Sequence, residues 1–433
     1  MNVSPLLKIF TTLCLTITSV SFAELQWGGS YENTLWGYYL IEKSNLLDEN
    51  RLRLDMHVAS GSAVSFTGDI IFKKHFGTTT YDIAALVPSH IAHPIPESIM
   101  SQFGGSTKAE MTFSYQDTLY VDNAAMTLET GRTLLTAGIQ QLPWGCGYAW
   151  NPTDLWNNKD ILDPGYDKPG KAAIKLDQGI GQVSITAVAG FAKDYMETPW
   201  TVSLSSTIAG FEATALAASR TITFENPLYG HGTFRRDRYL FGYSLSGQLS
   251  EIGIHSEGAW NREVPTSVFS RSYNAVLSTM ETLRPLGVKS DLLTSDHAKA
   301  RWYPQIVAGA DYTFGIGNGL FIMSEYFYNG DGKKNSEEYT VEDWMEYLTG
   351  DNLSMGTHTL FSGISYPFTD LSTFALYSIV NFSDYSVALN PWLTVSIADD
   401  CELDISGAIP IGDEEDEFGR SQYMGRARLK VFW

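Results

Sequence analysis

From residue 24 onward the chain is a succession of segments in which apolar and polar residues alternate, separated in turn by tight connections and by long polar ones. Period two belongs to strands whose two faces meet different surroundings. The last segment shows it most plainly, with Ala427, Leu429, Val431 and Trp433 on one face and Arg426, Arg428 and Lys430 on the other. Ala172, Ile174 and Leu176 alternate with Lys175 and Asp177; after a Gly-rich turn, Val183, Ile185, Ala187, Ala189 and Phe191 alternate with Ser184 and Thr186.

The tight connections fall at 60–62, 129–132, 178–182, 209–210, 247–250, 316–318, 368–371 and 398–400. Longer ones lie near 41–48, 75–114, 142–170, 192–200, 223–237, 263–302, 330–356, 383–386 and 410–420. Eight turns alternating with nine loops predict an all-β fold, a transmembrane antiparallel β-barrel of about 18 strands within a range of about 16 to 20. Short turns would be periplasmic and long loops extracellular, with both termini on the turn side. Two loops carry helical patterns, 272–283 and 341–348; before the second, Thr340 and Asp343 have capping-box spacing. No linker or repeat divides 24–433, so one barrel accounts for it.

A soluble sandwich would also alternate, so the beginning and the composition must decide. Residues 1–23 hold one basic residue, Lys8, an apolar stretch from Ile9 to Val20, and Ser21-Phe22-Ala23 before Glu24. This reads as a secretory signal cleaved after Ala23. Cys14 sits within the apolar stretch, so no lipid attachment is expected. Removing Lys8 takes the net charge from −20 to −21. Beyond residue 23 no run approaches the ~20 apolar residues of a spanning helix, so membrane residence would have to come through strands. Aromatics at 13%, 38 glycines and only 18% charged residues fit strands with aromatic girdles. Of the remaining cysteines, Cys146 and Cys401 are far apart in sequence and are expected to be unpaired, at opposite ends of the barrel.

The most distinctive stretch is Gly138-Ile139-Gln140-Gln141-Leu142-Pro143-Trp144-Gly145-Cys146-Gly147, then Tyr148-Ala149-Trp150-Asn151-Pro152-Thr153-Asp154-Leu155-Trp156-Asn157, followed by Pro169-Gly170. It resembles a family of porin-like outer-membrane barrels of diderm bacteria that carry Gly-Arg-Gln, Trp-Gly-x-Gly, Asn-Pro-Thr-Asp-Leu and Pro-Gly. Two positions depart: Ile139 stands where the family has Arg, and Cys146 where the residue is often basic, so no cationic role carries over there. A weaker likeness is the hairpin of residues 307–314 with Glu325-Tyr326-Phe327-Tyr328-Asn329-Gly330. The resemblance implies a porin-like barrel in the outer membrane.

Read physically, 144–157 is a compact loop in which Gly145 and Gly147 permit tight backbone and Asn151 and Asp154 bond nearby amides. So many aromatic residues would not stay in water, so the loop is expected to fold across the lumen or pack on the rim. Trp144, Tyr148, Trp150, Asp154, Trp156, Asp160, Asp163 and Asp167 are the candidate constriction residues. With the apolar face outward, Arg51, Arg53, Asp55 and His57 point inward, as do Arg426, Arg428 and Lys430. The last strand pairs with the first, and the first with the second, so Arg51, Arg53, Arg426, Arg428 and Lys430 would form a basic wall. Facing the acidic loop it would create a transverse field; paired locally it would be an ordinary solvated lining. The acidic runs 413–417 and 337–346 concentrate cations at the mouth, or keep the loops soluble.

An enzyme would need a clustered nucleophile, base and acid, and the eight histidines are scattered, without a Gly-x-Ser-x-Gly, His-Glu-x-x-His or phosphate-loop pattern. His90 and His93 lack a third ligand. The sequence therefore predicts no enzyme, no cofactor, no metal and no nucleic-acid partner. It predicts a channel for passive diffusion of small hydrophilic solutes, embedded in outer-membrane lipids and recognised by the barrel-assembly machinery through the strand ending in Trp433. Homo-oligomers are compatible with it. The alternatives are a closed adhesin or assembly scaffold, or a carbohydrate-selective channel using the loop's aromatic rings.

Overall fold

The computed structural model describes residues 24–40, 43–60, 63–82, 110–157, 168–192, 198–226, 232–267, 300–348, 350–419, 421 and 423–433. Residues 1–23, the segment 272–283 and the side chains of Asp160, Asp163 and Asp167 lie outside these.

The described residues form twenty strand segments. They begin with β1 (Glu24–Leu40), β2 (Lys43–Ser60), β3 (Val64–Asp82), β4 (Glu110–Ser114), β5 (Thr118–Tyr120), β6 (Ala124–Thr130) and β7 (Thr133–Gln140). There follow β8 (Lys171–Ile180), β9 (Val183–Gly190), β10 (Trp200–Ile208), β11 (Phe211–Asn226), β12 (Gly232–Leu249), β13 (Ile252–Ser267), β14 (Arg301–Phe314) and β15 (Leu320–Asn329). The chain then passes through helix α1 (Val341–Leu348) to β16 (His358–Thr369), β17 (Ser372–Asn381), β18 (Val387–Ala398), β19 (Cys401–Ile411) and β20 (Tyr423–Phe432). Outside β4 and β5, each strand pairs antiparallel with the next one along the ring, and β1 pairs with β20, so the sheet closes on itself. Segments β4, β5 and β6 all pair with β3 and together form one stave, which makes an 18-stave antiparallel barrel.

Closure is completed at the C-terminus. The Trp433 N–H donates to Gly29 O at 3.2 Å, and the Gly29 N–H donates to Trp433 O at 3.1 Å. A Cβ at Gly29 would stand 2.8 Å from the Trp433 ring, so that position accepts nothing larger than glycine.

Alternation produces a two-faced wall. Outward residues such as Leu54 (45% exposed), Ile70 (51%), Leu204 (50%) and Ile405 (47%) are bare, whereas Glu32, Asp69, Glu257, Asn261 and Asp404 point inward and are buried. An exposed apolar belt around the whole ring exceeds what a soluble monomer shows.

Seven of the eight tight turns lie where alternation ends, the eighth, at 60–62, falling mostly outside the described residues, and α1 occupies its expected range. Four expected loops are shorter than the sequence implied. Strands β1 and β2 reach Leu40 and Lys43, because Asp48 and Asn50, which look loop-like, bond laterally to Asn33 on β1. Strand β12 begins at Gly232, because Arg236 and Arg238 face inward onto Glu263. Strand β3 extends to Asp82 and β13 to Ser267. The fourth stave is broken where the Asp69 carboxylate accepts the N–H groups of Asp122 (3.0 Å) and Asn123 (2.7 Å).

The inner face is not uniformly polar. Leu216, Ala218, Leu240, Ala259, Val307, Phe327, Phe361 and Ile379 are buried on the inner face of β11–β17. What they bury is the loop after β7. The wall is low where that loop departs and returns, with β7 and β8 only 8 and 10 residues long against 17 to 19 in β1–β3.

Candidate functional site

The segment 141–157 enters the lumen and lies along the inner wall. Leu142 and Trp156 pack against Ala173 and Val188, and the Trp156 indole N–H donates to Thr201 Oγ1 at 2.8 Å. Leu155 sits in the apolar patch of Leu216, Ala218, Leu240 and Ala259. Trp150 is fully buried, stacked on Phe327 with ring centroids 5.2 Å apart and edge-on to Phe361 at 6.4 Å. Trp144 is half-buried between the first two clusters. Burial of each large side chain stabilises the inward path by about 1.5–3 kcal/mol.

Polar anchors fix that path. Glu325 Oε1 accepts the Ala149 and Trp150 N–H groups at 2.9 and 3.0 Å, and its Oε2 accepts the Tyr148 N–H at 2.6 Å. Glu257 Oε1 accepts the Thr153 N–H and hydroxyl at 2.7 and 2.6 Å, and Oε2 accepts the Cys146 N–H at 2.8 Å. The wrap requires glycine. At Gly145, φ is +87°, and a Cβ would sit 2.4 Å from Glu257 Oε2; at Gly147 it would sit 2.0 Å from Trp150 O. The same descent carries Cys146 to 3.5 Å from Ser256 O, near the turn-side end of β13. Cys146 and Cys401 are both free; the expected placement of Cys146 at the loop end is corrected by this inward fold.

Asp154 works within the loop. Its carboxylate accepts the Trp156 and Asn157 N–H groups at 3.1 and 3.2 Å and pairs with Lys168 at 2.7 Å, leaving the side chain 3% exposed. It therefore turns no free charge toward the lumen. Trp150 and Trp156 are likewise packed into the wall, so they offer no face to a sugar ring. Tyr148 is 41% exposed, and its hydroxyl donates to Asp311 at 3.1 Å. Burial, then the Asp311 charge, pushes this phenol up to about 12, which keeps it a donor at neutral pH.

The five expected cations stand on β2 and β20, the two strands that flank β1. Arg51 and Lys430 flank Glu32 at 3.1 and 3.5 Å. Arg53 bridges Asp55 at 2.7 Å and Asp69 at 2.8 Å, and Arg428 pairs with Asp404 at 2.7 Å. Arg426 lies between the rings of Trp36 (5.0 Å) and Trp392 (4.4 Å). Glu32, Asp55, Asp69 and Asp404 make this wall a mixed ladder of charges rather than a bare basic surface. Among the described residues, the contacts of 141–157 run from β8 to β16, whereas the ladder stands on β20, β1 and β2.

A second inward loop, 330–357, was not legible as such in the sequence. Thr340 and Asp343 cap α1 reciprocally, with Thr340 N–H to Asp343 Oδ2 at 2.9 Å and Asp343 N–H to Thr340 Oγ1 at 3.2 Å. From α1, Glu346 contacts Arg236 and reaches Arg301 at 3.4 Å. Arg301, Arg236 and Arg238 converge on the buried Glu263, which also accepts the Tyr303 hydroxyl at 2.7 Å. Beyond α1, Leu353 O accepts the Trp150 indole N–H at 3.2 Å, and Asp351 O accepts from Arg238 at 3.2 Å. The two loops therefore pack on one another. The capping signal was readable, but the arginines that receive Glu346 looked like loop residues. Among the described residues, no cluster of three His, Cys, Asp or Glu side chains is arranged to hold a metal ion.

No protein-family model matches the chain, and no curated protein sequence is significantly similar to it. Solved structures do share its fold. Acinetobacter baumannii OccAB2 aligns over 95% of this chain and 98% of its own, with TM-score 0.51 and 8% identity. OccAB1 of the same organism aligns over 95% and 97%, with TM-score 0.51 and 9% identity. The outer membrane protein OprD from Pseudomonas aeruginosa aligns over 94% and 93%, with TM-score 0.50 and 9% identity. At these identities the likeness is one of fold: a closed antiparallel barrel of the kind found in OprD.

Proposed function

We propose that the chain is an outer-membrane porin-type channel through which small hydrophilic solutes diffuse passively, its lumen narrowed by the segment 144–167. The observation that carries this reading is the inverted wall. An apolar belt is bare on the outside, while charged ladders and two folded loops occupy the inside. Such a ring is stable only in lipid, and its loops leave a charged lining to meet water. The fold shared with OprD, which is described as an outer membrane protein, supports the same location.

In this reading residues 1–23 are a signal removed after Ala23, and the strand ending in Trp433 is what the assembly machinery engages. Trp144, Trp150 and Trp156 seat the constriction, Asp154 buckles it, and Tyr148 faces the solute; Asp160, Asp163 and Asp167 complete its acidic side. Arg51, Arg53, Arg426, Arg428 and Lys430 line the opposite arc. Transport needs no catalytic residue or cofactor. Deleting 144–167 from the refolded protein is expected to raise single-channel conductance, and an unchanged conductance rules that segment out as the constriction.

A further inference from the structure

The loop is held by carboxylates that belong to the wall. Glu257 on β13 and Glu325 on β15 are 0% and 1% exposed, so neither meets a solute. Five polar contacts converge on Glu257: the Cys146, Gly147 and Thr153 N–H groups, the Thr153 hydroxyl and the Asn151 amide. Glu325 receives the Tyr148, Ala149 and Trp150 N–H groups and the His255 Nε2 contact at 2.8 Å. Successive backbone N–H groups directed at one anion form a nest. Here the loop builds two nests around two fixed anions.

We infer that Glu257 and Glu325 are positioning residues of the pore, fixing from within the wall how far the loop reaches into the lumen and thereby setting its conductance. This rests on the channel reading and on the loop as constriction. Apolar contacts such as Leu155 in its patch tolerate sliding, because burial is not directional. A buried carboxylate tolerates none, since its charge costs free energy unless donors surround it. Any other course of the loop strips donors from both groups at once. Glutamine has the same shape but one acceptor oxygen, and its amide would confront N–H groups that need an acceptor.

The test uses the refolded full barrel with Glu257→Gln, Glu325→Gln and the double variant, alongside Glu257→Asp, Glu325→Asp and the 144–167 deletion. The double Gln variant is expected to raise unitary conductance about twofold, toward the deletion's value, while the Asp variants stay nearer wild type. Cys146 gives a second readout, since its thiol is held at 3.5 Å from Ser256 O beside Glu257. In a Cys401→Ser background, Glu257→Gln should speed Cys146 alkylation about tenfold as the clamp opens. Retained heat-modifiable migration would show that the barrel itself is intact. If the deletion raises conductance while both Gln variants keep wild-type conductance and labelling, the inference is overturned and the channel reading stands. If the deletion changes nothing, the loop is not the constriction and the inference fails with it.

Discussion

Glu417 is the residue through which pH reaches the long-loop end. It is buried; its Oε2 accepts the Asn381 amide at 2.6 Å and the Ser354 hydroxyl at 3.1 Å. Beside it Asp384 accepts the Tyr339 hydroxyl at 2.7 Å and the Glu417 N–H at 2.8 Å. Burial first, and then the Asp384 charge, push the Glu417 carboxyl up to about 8. An exposed glutamate loses its proton near about 4.3, so between the two values the packed loops bind a proton that unpacked loops do not. Their stability is therefore greatest at acid pH and declines as pH rises through that window. Burial likewise raises Asp416, which adds to the same direction. Hydrogen-exchange protection of 339–357, taken relative to the intrinsic exchange rate at each pH, should fall between pH 5 and pH 8, and Glu417→Gln should flatten that dependence. A profile equally steep in the variant would assign the effect to other groups.

At the scale of elements, inward ionic hubs join what the sheet alone does not. Glu263 on β13 ties Arg238 on β12 to Arg301 and Tyr303 on β14, while Arg301 and Arg236 continue to Glu346 on α1. Removing the carboxylate leaves three guanidinium groups crowded on one side of a buried site. Glu263→Ala should cost roughly 3–5 kcal/mol, read as a lower midpoint of heat-modifiable migration in detergent. A midpoint equal to wild type would mean that Glu346, Asp331 and solvent suffice to balance those arginines without Glu263. The same hub explains a misreading of the sequence. Arg235-Arg236-Asp237-Arg238 looks like a polar loop because a strand whose inner face carries charge has no apolar stripe on that side. The stretch from Asn45 to Asn50 misleads for the complementary reason, since its outward polar groups bond laterally to Asn33.

For the whole molecule, the ring itself was legible. Tight turns such as 209–210 and 398–400 mark the phase of each hairpin, and period two holds wherever one face meets lipid. The closing seam was legible in the alternation that ends at Trp433. What lies inside was only partly so. The aromatic and glycine content of 144–157 predicts a folded loop, yet its docking on Glu257 and Glu325 depends on residues more than 100 positions away, where a glutamate in alternating sequence looks like any lumen residue. Apolar inward residues such as Val307 and Phe327 break the pattern for the same reason, because they face a loop rather than water.

A porin-type channel requires an open, water-filled lumen, here partly closed by that loop. Single-channel recording of the refolded chain in a planar bilayer under a salt gradient tests it most directly. An open lumen should give stable ohmic steps with a reversal potential displaced from zero, because mixed ladders and acidic loops do not treat the two ions alike. Silence from protein whose heat-modifiable migration proves it folded would contradict the claim and make the barrel a closed scaffold.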